Sequence, residues 1–109
     1  MSYITVKLLK PEYRGGFHCG KFASDADRIV SAIRHIIKGH YDELDFEICF
    51  THREDVQVAE FMFDVTNNPS REEERESLYG DHRSISVGDL VCINGHDFLC
   101  MPNGWEMLC

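Results

Sequence analysis

The sequence predicts an α+β domain. A mostly antiparallel sheet packs on one main helix, about 25–38, with a short second helix, about 71–79, and a C-terminal three-strand β-meander. Three features carry this expectation. Residues from Tyr3 to Leu9 alternate β-branched or apolar side chains with polar ones, the period of a half-buried strand. Ala26, Ile29, Val30, Ile33, Ile36 and Ile37 recur at the spacing of one helical face. Asn94-Gly95 and Pro102-Asn103-Gly104 divide the last third into short strands. The 109 residues, 43% hydrophobic and 28% charged, suit one domain spanning 1–109. A domain of that size buries roughly 65% of the surface its unfolded chain exposes.

The elements follow in order. Pro11 ends the first strand, and a loop over 11–23 contains Gly15-Gly16. Ser24 suits an N-cap, and Asp25 and Asp27 place acid in the first helical turn, where the dipole favours it. Gly39 offers the stop. Leu44 to Phe50 and Val56 to Val65 alternate again, with Ala59, Phe61, Phe63 and Val65 on one side of the second run. With Thr51 to Asp55 as the connection, they predict an antiparallel hairpin whose apolar face meets the isoleucine-rich helix. Asn67-Asn68-Pro69 halts that strand, and Ser70-Arg71-Glu72-Glu73 reads as a capping box opening the short helix, which Gly80 closes. Asp89 to Ile93, His96 to Met101 and Trp105 to Leu108 complete the meander.

Charge is unevenly placed. The net charge is −8, made of +4 over residues 1–40 and −12 over 41–109. Such a balance disfavours a general binder of nucleic acid or anionic membranes, which would need a basic face. It suits a molecule with one acidic face that meets a basic partner. Asp42, Glu43, Asp45, Glu47 and Glu60 are the candidates for that face. The five cysteines are an odd set lying mostly among apolar residues, and no apolar leader is visible. That pattern reads as reduced thiols in a cytoplasm. No stretch approaches the ~20 apolar residues of a membrane span.

Chemical motifs are sparse. Cys92, His96 and Cys100 have a suggestive spacing for zinc. A two-residue turn at Asn94-Gly95, however, sets Cys92 opposite Asp97 and sends Cys92 and Cys100 to opposite faces of the hairpin. No metal and no cofactor is expected. Cys19, next to His18 on a loop, is the cysteine outside an apolar strand, and a small hydrolase or transferase would centre on it or on His82.

The most informative stretch is 66–105. Arg71 and Arg75 stand four residues apart on one helix face. Tyr79-Gly80-Asp81-His82-Arg83-Ser84-Ile85-Ser86-Val87-Gly88-Asp89 leads into the meander, which ends with Cys100 and Gly104-Trp105. One reading is structural: Ser84 and Ser86 satisfy backbone groups, and Asp89 fixes the start of a strand. The other is a polar recognition site built from Asn67, Asn68, Arg71, Arg75, His82, Arg83 and Ser84, with Trp105 beside it. Arginine forks suit phosphate and tryptophan stacks on bases, so that site would serve a nucleotide or nucleic-acid element.

Asn68-Pro69, Tyr79-Gly80, His82-Arg83-Ser84, Ser86-Val87-Gly88-Asp89, Val91, Cys100 and Gly104-Trp105 together resemble the YodL-like group of small proteins and domains of phages, plasmids and other mobile elements. The likeness covers roughly the last 40% of the chain. It implies a mobile-element origin and action inside a bacterial host, and it supplies no reaction.

The expected function is that of a small acidic interaction protein, not an enzyme, which binds and modulates a host protein with a basic surface. The nucleotide or nucleic-acid module is the alternative. No membrane partner is expected, and exposed apolar strand faces leave room for a homodimer.

Overall fold

The computed structural model describes residues 2–14, 24–48 and 54–108. They form β1 (Ser2–Leu9), α1 (Asp25–Ile37), β2 (Tyr41–Ile48), α2 (Asp55–Asn67), α3 (Glu72–Leu78), β3 (Leu90–Ile93), β4 (His96–Met101) and β5 (Gly104–Met107), with short 3₁₀ turns at Pro11–Tyr13 and Pro69–Arg71. The strands make one antiparallel sheet in the order β2-β1-β3-β4-β5. The fold class is therefore the predicted one: helices on an antiparallel sheet, with a C-terminal meander.

Strand alternation divides the sheet into two faces. Ile4, Val6, Leu8, Val91, Ile93, Phe98 and Cys100 point to the first face, where they pack with Val58, Ala59 and Met62 of α2 and with Tyr79 and Ile85. Leu44 and Phe46 border this core. Leu90, Leu99 and Met101 point to the second face and pack on Ala32 of α1, with Ile29, Ile36, Tyr41 and Leu108 around them. The arrangement is three layers, with α2 and α3 on one side and α1 on the other.

Two expectations are corrected by this arrangement. The run 56–65 is helix, not the second strand of a hairpin. Its buried residues Val58, Ala59, Met62, Val65 and Thr66 follow i, i+1, i+4, i+7, i+8, one helical face. A capping box between Glu54 and Gln57 opens it. β2 consequently pairs with β1, and Leu44 and Phe46 border the core that contains Tyr79 and the buried residues of α2, not the isoleucines of α1. Of the 51–55 connection, residues 51–53 lie outside the described residues.

α1 itself is less covered than its periodicity implied. Ser24 caps it by accepting from the Asp27 amide at 3.3 Å. Ala32 is its buried residue, Ile29 and Ile36 are half-buried, and Val30, Ile33 and Ile37 are exposed. A helix lying on a sheet buries a narrow stripe, and the residues beside that stripe stay in solvent.

The capping box assigned to Ser70 and Glu73 is also corrected. The Asn68 side chain caps this turn instead, accepting from the Ser70 amide at 3.0 Å. The chain then passes through the Pro69–Arg71 3₁₀ turn into α3, which has no side-chain cap of its own. At the β3–β4 turn, Asn94 (φ 53°) and Gly95 (φ 83°) are both left-handed, as a type I′ hairpin requires. Ile93 consequently faces His96, and Cys92 faces Asp97.

Candidate functional site

The polar stretch 79–89 is organised around one buried carboxylate. Asp89 is fully buried. Its Oδ1 accepts from the Leu9 amide at 2.8 Å and from Arg83 Nη2 at 2.9 Å. Its Oδ2 accepts from Arg83 Nη1 at 2.8 Å and from the Ser86 amide at 2.8 Å. Arg83 Nη2 also donates to the Leu9 carbonyl at 3.0 Å, and Nη1 to the Ser84 carbonyl at 3.0 Å. A bidentate fork thus ties the loop to the end of β1. Burial pulls the Arg83 guanidinium pKa down, and the Asp89 hydrogen bonds and charge more than offset it, so the net shift is upward.

A second set of bonds ties the same loop to α2. Arg75 Nη1 donates to the Thr66 carbonyl and, at 2.7 Å, to Ser84 Oγ, while Nη2 donates to the His82 carbonyl at 2.6 Å. Ser84 Oγ donates to the Thr66 carbonyl at 2.6 Å. Asn67 Nδ2 donates to the Ile85 carbonyl at 2.8 Å. Arg71 turns elsewhere, grasping Glu74 at 2.9 Å and Asp64 at 2.7 Å, so the two arginines do not act together. All three arginine forks proposed for phosphate are occupied by acceptors of the chain itself.

Asn67, Asn68, Arg75 and Ser84 do share a surface cavity of about 390 Å³, completed by Thr66, Pro69 and Glu72. His82 lies apart from it, exposed, with its ring edge-on to Phe46 and Tyr79. Trp105 packs edge-on against Phe63 of α2. It belongs to β5, whereas His82 touches β2, at the opposite edge of the sheet. Four strand steps of about 4.8 Å separate those edges by ~19 Å. The predicted recognition site therefore resolves into a structural clasp, a cavity and a distant indole.

The acidic candidates also divide. Asp42, Glu43, Asp45 and Glu47 are all exposed on β2, an outer strand of the sheet. Glu43, Asp45 and Glu47 share the second face, Asp42 points to the first, and Glu60 is exposed on α2. Asp45 Oδ1 accepts from Thr5 Oγ1 at 2.7 Å, and Lys7 stands 3.7 Å from Glu43 and 3.2 Å from Asp97.

Sequence reasoning missed a histidine pair. His35 Nδ1 and His40 Nδ1 lie 2.8 Å apart, and Tyr13 stacks on His40 with ring centroids 3.7 Å apart. A contact between two ring nitrogens needs one proton, not two. The signal available was their spacing across the helix stop at Gly39, which returns the second ring to the first. Burial first, then His40 and Lys38, hold the His35 pKa below its ordinary 6.5. The unfolded chain therefore takes up that proton more readily. The contact contributes fully above about pH 6.5 and weakens as the pH falls through the lower folded value. Thermal melts from about pH 7.5 to 5 should show wild type losing stability, and His35→Gln should flatten that slope.

Cys100 is buried, which pushes its thiol up to about 12; burial, with Asp97 beside it, also raises Cys92. Neither is a thiolate at neutral pH. The two point to opposite faces of the β3–β4 hairpin, and no group of three metal-ligating side chains occurs among the described residues. Cys19 lies outside them. No described helix is long and apolar enough to cross a membrane. The described residues thus form three layers, with helices on both faces of an antiparallel sheet. No family model, curated protein or solved structure matches the chain.

Proposed function

We propose that this chain is an acidic interaction protein, not an enzyme, that binds a basic surface of a host protein and modulates it. One observation carries the reading: an outer strand of the sheet, β2, holds four exposed carboxylates, Asp42, Glu43, Asp45 and Glu47. Carboxylates in a row attract a basic partner and steer its approach, at a strength that falls with salt. The resemblance of residues 68–105 to the YodL-like group adds a mobile-element origin and a bacterial cytoplasm to this proposal. Nucleotide or nucleic-acid recognition has less support, because Arg71, Arg75 and Arg83 are each engaged by acceptors of the chain.

The test compares wild type with a variant in which Asp42, Glu43, Asp45, Glu47 and Glu60 are changed to their amides. Both are immobilised and exposed to nuclease-treated bacterial lysate at about 0.15 M salt. Wild type should retain a protein that the amide variant retains at least about tenfold less, and raised salt should release it. Equal retention by both, indifferent to salt, would overturn the reading.

A further inference from the structure

The outer side of β2 has a definite hydrogen-bonding register. The Lys10 amide donates to the His40 carbonyl at 3.0 Å, one step beyond the Leu9–Tyr41 pair in the β1–β2 ladder. Bonded and non-bonded pairs alternate along an antiparallel ladder. Leu8–Asp42, Val6–Leu44 and Ile4–Phe46 are therefore the bonded pairs. Leu9 confirms the phase from the other side: its N–H and C=O turn away from Tyr41, to Asp89 and Arg83. Tyr41, Glu43, Asp45 and Glu47 consequently direct their backbone N–H and C=O outward. Among the described residues no strand pairs with them.

The side chains fall in step with this row. Glu43, Asp45 and Glu47 stand on one face at alternate positions, roughly 7 Å apart. Leu44 and Phe46, half-buried, form an apolar border on the other face. From this juxtaposition we infer that β2 accepts an extended segment of a partner as a sixth strand, one with lysine or arginine at alternate positions and apolar residues between. The inference rests on the acidic-interaction reading and adds its geometry. Backbone bonds to Tyr41, Glu43, Asp45 and Glu47 hold such a segment. Its basic residues lie opposite the three carboxylates, and its apolar residues extend the border made by Leu44 and Phe46. A second copy of the chain is the wrong occupant. Antiparallel pairing of two β2 strands centred on Asp45 sets Glu43 against Glu47 and Asp45 against itself, like charges directly opposite. The carboxylates that repel a copy are those that select a basic strand.

The probe is a capped peptide of about nine residues in which lysine and valine alternate, compared with one of equal composition whose lysines form a single block. The alternating peptide should bind the full chain about tenfold tighter. It should slow amide exchange at Tyr41, Glu43, Asp45 and Glu47, leaving Leu44 and Phe46, already bonded to β1, unchanged. In a variant with Glu43, Asp45 and Glu47 all changed to lysine, preference should pass to a peptide alternating glutamate and valine. Equal affinity for the two lysine peptides without slowed exchange would overturn strand addition and leave the acidic-face reading standing. Binding of neither peptide would overturn both.

Discussion

Arg83→Ala should lower the stability of the fold by about 3 kcal/mol, the low end expected when one partner of a buried ion pair is removed. The low end applies because the Arg83 side chain keeps 28% of its exposure while Asp89 keeps none. Truncation leaves the Asp89 carboxylate in the interior with only the Leu9 and Ser86 amides and the Ser86 hydroxyl around it. It also strips the Leu9 and Ser84 carbonyls of a donor. For a domain this size the loss corresponds to a melting point about 12 °C lower or more. Arg83→Lys should fall between the two, because one ammonium cannot span both carboxylate oxygens and the Leu9 carbonyl. Thermal and urea denaturation of the three proteins read this directly. Melting of Arg83→Ala together with wild type would show that the fork does not clasp the loop to β1. The residue would then be available to a ligand, as the nucleotide-binding alternative requires.

The same pair shows where sequence reasoning reaches and where it stops. Ser84 and Asp89 could be read as groups satisfying backbone atoms, and they do so, Ser84 at the Thr66 carbonyl and Asp89 at the Leu9 and Ser86 amides. Ser86, read the same way, bonds side chains instead, those of Asp89, Arg83 and Arg14. That Arg83 closes on Asp89 was not legible, because an arginine six residues from a buried aspartate looks the same as one reserved for phosphate. Its role depends on Leu9, a long-range partner at the end of β1. The β3–β4 register was legible because Asn94-Gly95 fixes it locally. The acidic row was legible as a row. Its position on an outer strand was not, since strand order is set by which segments pack, and the misassigned 56–65 run had taken the place beside β2. His35 and His40 escaped notice because only the turn at Gly39 brings their rings together.

Met62→Ala should cost about 2–5 kcal/mol, and Phe63→Ala, at a position 37% exposed, less. The contrast decides between the two structures that the sequence of residues 55–67 permits. As a strand, the run buries Ala59, Phe61, Phe63 and Val65 and turns Met62 to solvent. As the helix α2, it buries Met62 completely in the core formed with Ile4, Val6 and Tyr79, and leaves Phe63 37% exposed beside Trp105. The aromatic and β-branched residues here are of the types that fit a pleated, half-buried sheet surface. The helix prevails because its one face delivers Val58, Ala59, Met62, Val65 and Thr66 to the sheet together, and Glu54 with Gln57 satisfies its first amides. A void at Met62 is bounded by strands whose spacing is fixed by their ladders, so little collapse can relieve it. Phe63→Ala removes a ring that is already 37% exposed, with an edge-on contact to Trp105 that adds about 1 kcal/mol to the area it buries. Denaturation midpoints of the two variants rank the costs. A larger loss for Phe63→Ala than for Met62→Ala would return the segment to the strand, and with it the place beside β2 that leaves the carboxylates uncovered.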